Sequence, residues 1–211
     1  MGGSIVLNPS SRHHAPLKAH LAAAFHNELF AHDAATLLAN SADYLARSAV
    51  LNRNALALAT YLDAARTARA SRPAATDTIT RVLYPTTSDT LALYDAFKRP
   101  ATPDFTPGYG CLLSVEFADR HLARAFYDSL AVHHGPHLGA HLTLALPFNE
   151  LIWGADEAGA AYHGAYGVRG EQIRVSVGLE DEAELIETFR VALDAAVEEQ
   201  KKRGKTEKEA E

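Results

Sequence analysis

The chain has 211 residues, of which 47% are hydrophobic and 22% are charged, as in a globular protein. This length has room for one domain, or for one domain plus a fragment of another. Its formal net charge of −6 argues against a surface that binds nucleic acid or acidic lipid. Cys111 is the single cysteine, which excludes an internal disulfide and favours a reducing compartment. Without the pattern of a signal peptide or an apolar stretch long enough to span a bilayer, we expect a cytoplasmic protein.

The first 30 residues are predicted to form a short strand and one helix. Residues 4–7 are apolar enough for a strand. Leu17, Leu21 and the apolar residues that follow at the same spacing give one stripe along a helix over residues 15–29. A lone strand at a terminus is not stable and must join a sheet. We therefore expect residues 1–30 to be the remnant of a larger domain.

Residues 31–72 are predicted to be connecting helices. Apolar residues at helical spacing run from about Asp33 to Arg69, and Asn40 or Ser41 could cap a fresh start. A helix of this length connects two bodies or lies across one. Pro73 ends the pattern within a low-complexity stretch.

From residue 73 to residue 199 the pattern alternates strands with helices. Strands are predicted at residues 79–84, 111–117, 142–146 and 173–177. Helices are predicted at residues 90–98, 120–132 and 182–202. This is an α/β pattern, and its mixed connections predict an antiparallel or mixed sheet with helices on one face. Residues 198–211 mix both signs of charge, and we expect them to fray, with residues 200–211 as a charged tail.

Four histidines within nine positions are the most conspicuous local cluster. They are His133, His134, His137 and His141. Imidazole is a common metal ligand, and a closed metal site needs three or four ligands. Gly135 and Pro136 would break any helix that aligned these rings, so a loop of solvent-facing or hydrogen-bonded histidines is favoured over a metal site.

Arg174 lies among apolar residues of a predicted strand, and its guanidinium needs a partner. One interpretation is a fork that binds a substrate carboxylate through two hydrogen bonds. The other is an ion pair with Glu180 or Asp181, and the residues alone favour the ion pair. Glu180 and Asp181 precede a predicted helix, where acidic residues are ordinary N-caps.

The chain contains six lysines, of which only Lys18 and Lys98 lie outside the C-terminal tail. Both occur among polar neighbours on predicted surface segments. A lysine that forms a Schiff base needs a desolvated environment, and neither position predicts one.

Residues 174–181, with the sequence RVSVGLED, are similar to the C-terminal signature of the pyridoxal-phosphate (PLP) dependent enzymes of cysteine and methionine metabolism. Further similar segments follow the family's order. They are residues 1–8, 43–62, 82–85, 94–96, 108–115 and 135–144. Of these, residues 94–96 and 135–144 resemble the fungal cystathionine γ-synthase branch. Over about residues 1–197 the chain resembles the C-terminal half of such an enzyme.

The resemblance implies the small C-terminal α/β domain of a fold-type I PLP-dependent transferase, preceded by a long linker helix. It implies γ-replacement on O-acylhomoserine with cysteine, in trans-sulfuration and methionine biosynthesis, and it does not separate γ-synthase from sulfhydrylase or lyase. It also implies that Arg174 binds the substrate α-carboxylate, with His137 and Leu138 in the substrate loop. His137 stands where the family usually has a serine.

In the family, the cofactor lysine and the other PLP contacts precede the position that matches Met1. We therefore expect no catalytic, cofactor-binding or metal-binding residue in this chain, and an isolated chain that is not a competent enzyme. The alternative is a non-catalytic remnant or interaction subunit that pairs with a full-length paralogue or a separate front half. Because the family forms dimers and tetramers, we expect a homo-oligomer or a paralogue partner.

Overall fold

The computed structural model describes residues 3–70 and 77–210. It divides the chain into two compact units, residues 1–44 and 45–211. Met1 and the predicted boundary at residues 72–73 lie outside the described residues. The assignment of the chain to a large-domain remnant, connecting helices, a small domain and a tail stays a prediction.

The first unit contains two helices, α1 at His14–Ala24 and α2 at Ala31–Asn40, and neither has a buried residue. Residues 4–7 form no strand, so that prediction is wrong. Ile5 and Val6 are exposed, at 64% and 87%. An extended segment becomes a strand only where a neighbouring strand accepts its backbone hydrogen bonds.

The second unit begins at the second residue of the long helix α3, Tyr44–Ala70, and its last helix is α8 at Glu182–Ala210. The described strands between them are β1 at Ile79–Leu83, β2 at Leu112–Phe117, β3 at His133–His134, β4 at Leu144–Leu146 and β5 at Gln172–Ser176. The described helices between them are α4 at Leu91–Phe97, α5 at Arg120–Ser129, α6 at Phe148–Trp153 and α7 at Glu157–Gly164, with a 3-10 turn at Pro85–Thr87.

Of two helix predictions, one is confirmed and one is wrong. The helical pattern over residues 33–69 breaks at residues 41–43, as the fresh start expected near Asn40 or Ser41 predicts, and the Ser41 hydroxyl donates to the Leu38 carbonyl where α2 ends. The expected fraying of residues 198–211 is wrong, because α8 continues to Ala210. Lys201 and Glu198 form an ion pair one turn apart, and such a pair favours the helix.

The five described strands form one mixed sheet in the order β1-β2-β5-β4-β3. Three neighbouring pairs are antiparallel, and β3 with β4 is parallel. The register places Val175 opposite Leu113 and Ala145, so apolar side chains share one face, which we call the inner face. Arg174 lies between two inner-face residues and therefore projects on the opposite, outer face.

The inner face is covered by α3, α5 and α8. Their buried residues form a single cluster with the strands, in which Leu58 and Leu62 of α3 are fully buried. The ring of Phe126 on α5 lies 4.8 Å from Phe117 on β2 and 5.9 Å from Phe189 on α8. The predicted fold, a mixed sheet with helices packed on one face, is confirmed. None of the described helices is long and apolar enough to cross a membrane.

Candidate functional site

Arg174 stands on the outer face near the middle of the sheet, since β5 lies between β2 and β4. Its Nη2 donates to the Pro136 carbonyl at 2.9 Å. Its guanidinium carbon lies 4.4 Å from the ring centre of Phe148, at the start of α6. A guanidinium carries five N–H donors, so these contacts orient the group and leave donors for a further acceptor.

The ion pair with Glu180 or Asp181, which the residues alone favoured for Arg174, does not form in the described part of the chain. Both Glu180 carboxylate oxygens accept from Thr143, one from its backbone N–H and one from its hydroxyl. Asp181 Oδ1 accepts from the backbone N–H groups of Ala183 and Glu184, which caps α8 as expected.

The segment of residues 135–143, which we call the 135–143 loop, passes beside Arg174. It reaches the guanidinium through the Pro136 carbonyl, and the side chains of His137 and Leu138, next along the loop, are exposed. Gly139 has φ +72°, a left-handed conformation that suits glycine. The structure thus brings the loop that carries His137 and Leu138 to Arg174, and their binding roles stay predictions.

The clustered histidines are dispersed along this loop and its flanks. His134 stacks on the Tyr127 ring of α5 at a centroid distance of 4.3 Å, and the His141 carbonyl accepts from Leu179 N–H. Within residues 3–70 and 77–210, no group of three or more His, Cys, Asp or Glu side chains is placed to hold a metal.

Sequence reasoning missed the polar residues that tie the 135–143 loop to β5 and α8. Ser176 Oγ accepts from Gly139 N–H at 3.1 Å. Thr143 Oγ1 donates to Glu180 at 2.8 Å and accepts from Gly178 N–H at 2.9 Å. Ser176 and Thr143 are buried. Hydroxyl residues within otherwise apolar segments were the available signal, because a buried hydroxyl needs a hydrogen-bond partner.

The two lysines outside the tail have environments unlike that of a Schiff-base lysine. Lys98 Nζ donates to Asp95 Oδ1 at 2.6 Å and to the Tyr109 hydroxyl at 2.9 Å. The hydrogen bond to Asp95 raises the pKa of Lys98, which keeps the amine protonated and poorly nucleophilic. Lys18 is exposed on α1.

The fold of this chain is found in PLP-dependent enzymes. A cystathionine γ-synthase of Xanthomonas oryzae pv. oryzae, solved with cystathionine and with aminoacrylate and cysteine, matches with TM-scores of 0.55 and 0.56 at 23% identity, over 73% of this chain and 35% of its own. An O-acetylhomoserine (thiol)-lyase of Campylobacter jejuni, which carries a pyridoxyl-lysine phosphate group, matches with a TM-score of 0.55 at 22% identity, over 72% of this chain and 32% of its own. At these identities the likeness shows the fold.

The relatives that match by sequence are more similar to this chain than these solved structures are, and their names are more specific. The cystathionine γ-synthase-like protein ankD of Aspergillus thermomutatus is 37% identical over 193 residues, which is 92% of this chain and 31% of ankD. The cystathionine γ-synthase of Neurospora crassa is 33% identical over 204 residues, 94% of this chain and 29% of that enzyme. No protein-family model matches the chain.

The chain therefore spans about a third of the length of the relatives it matches. The resemblance to the PLP-dependent cystathionine γ-synthase group, in its fungal form, is confirmed, and the match fits a C-terminal part of such an enzyme.

Proposed function

We propose that this chain supplies the substrate-carboxylate site of a cystathionine γ-synthase-like, PLP-dependent active site. The observation that carries the proposal is Arg174, a cation on the outer face of the sheet that is oriented by a carbonyl and an aromatic ring. Such a group binds the α-carboxylate of an amino-acid substrate through two charge-assisted hydrogen bonds. His137 and Leu138, exposed on the 135–143 loop, form the rim of this site.

The proposed substrates are O-acylhomoserine and cysteine, and the proposed reaction is γ-replacement in trans-sulfuration and methionine biosynthesis. The names of the relatives support this choice, as do the complexes of the Xanthomonas enzyme with cysteine and cystathionine. In this chain Arg174 would hold and orient the substrate, and orientation is a contribution separate from the bond-breaking chemistry. We also propose a cytoplasmic location.

PLP itself does not fit the two lysines outside the tail, because Lys98 is held protonated by Asp95 and Lys18 is exposed. We infer that the lysine and most PLP contacts are contributed by residues outside this sequence. The isolated chain is then inactive, and catalysis requires a front half, on the same polypeptide or on a partner.

A second candidate is a non-catalytic remnant or interaction subunit that pairs with a full-length paralogue or a separate front half. The exposed apolar residues of the first unit favour a partner, since Phe30 is 68% exposed and Leu38 is 75% exposed. The same surface would serve a homo-oligomer. The two candidates differ in whether Arg174 affects turnover once a front half is present.

The test is a fusion of this chain behind the preceding part of the Neurospora crassa enzyme. Arg174→Ala is expected to lower kcat/KM by roughly 30- to 1000-fold, because the carboxylate loses a partner in a partly desolvated site. Arg174→Lys should keep only part of the parent kcat/KM, since an ammonium cannot form two parallel hydrogen bonds to a carboxylate. Arg190→Ala, which removes an arginine paired with Glu187 and Asp194 on α8, is the matched control and should leave kcat/KM unchanged.

Full kcat/KM in the Arg174→Ala fusion would contradict the carboxylate site and favour the interaction subunit. A separate measurement uses the unfused chain with stoichiometric PLP and borohydride. We expect no reduced adduct on Lys98 or Lys18, and an adduct at either position would show that this chain can hold the cofactor by itself.

A further inference from the structure

The 135–143 loop has little apolar anchoring of its own beside Arg174. His137 and Gly139 are exposed, and the Leu138 side chain is 51% exposed. A segment without fully buried apolar side chains is held chiefly by its hydrogen bonds. The conformation that places the Pro136 carbonyl on Arg174 must therefore be fixed by polar contacts to the rest of the fold.

Those contacts converge on the end of β5 and the turn that follows it. Gly139 N–H donates to Ser176 Oγ, Leu179 N–H donates to the His141 carbonyl, and Thr143 binds Glu180 through its N–H and its hydroxyl. The contacts recur at residues 139, 141 and 143, so they follow the second half of the loop. Ser176 lies on the outer face with Arg174 and is only 2% exposed.

The turn that follows β5 is itself hydrogen-bonded to the hydrophobic core. Asn54 on the buried side of α3 donates to the carbonyls of Gly178 and Glu180, at 3.1 Å and 2.8 Å. Asn54 is fully buried, so these bonds are shielded from water. The 135–143 loop is thus hydrogen-bonded to the end of β5 and the turn after it, and that turn is hydrogen-bonded to α3.

We propose that Ser176, Thr143 and Glu180 are positioning residues that hold the 135–143 loop against Arg174 and so set the geometry of the carboxylate site. None of the three needs to touch substrate. Their effect runs through the loop backbone, which carries the Pro136 carbonyl and His137. The consequence for substrate binding rests on the proposed function, whereas the placement of the loop does not.

The first experiment measures amide hydrogen exchange by NMR in the full 211-residue chain. Ser176→Ala removes the acceptor of Gly139 N–H, and exchange at Gly139 should rise roughly 3- to 10-fold. Backbone amides of the central strands, such as that of Val175, should keep their protection against exchange. Thr80→Val is the matched control, since it removes a hydroxyl that donates to the Glu116 carbonyl on the same sheet, away from the loop.

A second pair of variants guards against a simple loss of folding. Thr143→Val removes the hydroxyl that bridges Glu180 and Gly178, whereas Thr143→Ser keeps it. Faster exchange over residues 137–141 in Thr143→Val, with protection retained in Thr143→Ser, supports the proposal. Unchanged exchange at Gly139 in Ser176→Ala overturns it.

The fusion enzyme tests the consequence for binding. Ser176→Ala should raise the KM for the amino-acid substrate roughly 3- to 10-fold with little change in kcat, because a looser loop weakens binding of substrate and transition state alike. Where Arg174→Ala does lower kcat/KM, an unchanged KM in Ser176→Ala with a loosened loop also overturns the proposal. If Arg174→Ala has no effect on kcat/KM while Ser176→Ala still loosens Gly139, the proposed function fails and the positioning of the loop stands.

Discussion

At Gly178 the backbone of the 135–143 loop passes so close that a side chain would collide with it. A Cβ at this position would overlap the backbone of Leu142 and the carboxylate of Glu180. Gly178→Ala is therefore expected to lower the free energy of unfolding by about 1–3 kcal/mol, measured by urea denaturation. Gly164→Ala at the end of α7 has open space around it and should be neutral or stabilising. Equal stability of both variants would contradict the close approach.

Glu116 is a carboxylate within the sheet whose side chain is only 3% exposed. Burial raises the pKa of Glu116, and the charge of Arg81, 3.4 Å away, opposes that change. A carboxyl with a raised pKa in the folded state contributes stability below its unfolded pKa, and this contribution is lost as the pH rises through the folded pKa. Glu116→Gln should therefore gain stability relative to the parent chain as the pH rises from about 4 to about 8. Urea unfolding across this range measures the trend, and a difference that does not change with pH would contradict it.

At the scale of residues, sequence reasoning found Arg174 but not its surroundings. An arginine in an apolar strand is conspicuous because its charge must be satisfied. Its contact is the carbonyl of Pro136, 38 positions away, and a backbone carbonyl has no signature in the sequence. The expected ion pair with Glu180 does not form for a related reason. The Glu180 carboxylate accepts hydrogen bonds from Thr143, which is distant in sequence and lies on the 135–143 loop.

Among the elements, α5 shows how the helices are fastened to the inner face. Phe126 has no exposed surface and links Phe117 of β2 with Phe189 of α8. Phe126→Ala should cost about 3–5 kcal/mol of unfolding free energy, because it leaves a cavity between three elements. Phe97→Ala on α4 is the control, since Phe97 is 89% exposed and its removal should cost little. Comparable losses in the two variants would contradict the assignment of Phe126 to the core.

Elements with a clear period were predicted from sequence, as were the short elements β4 and α4, whereas β3 and α7 were not. The strands β1, β2 and β5 alternate or cluster apolar residues in a way that predicts strands, and α5 carries one apolar stripe. The two residues of β3 are too few to show a period, and they join the sheet only because β4 lies beside them. The sequence of α7 is rich in small residues and has no apolar stripe, so it gave no signal either.

For the whole molecule, the contrast between the two units suggests that they differ in stability. No residue of α1 or α2 is buried, whereas the second unit contains the hydrophobic cluster. Deleting residues 1–43 should leave the thermal unfolding midpoint within about 3 °C and reduce association at high concentration, because exposed apolar side chains are removed. Calorimetry and light scattering measure the two effects. Cooperative loss of the remaining structure would show that the units stabilise each other.

The edges of the sheet also limit how copies of the chain can aggregate. One edge is the two-residue strand β3, which is followed by Gly135 and by Pro136, a residue that has no N–H to donate. The other edge is β1, whose pairing with β2 is irregular between Ile79 and Arg81. Neither edge offers a long, flat row of backbone donors and acceptors, which is what templated fibril growth requires. Aggregates of the folded chain should therefore be amorphous, formed through exposed side chains, and should not bind amyloid dyes.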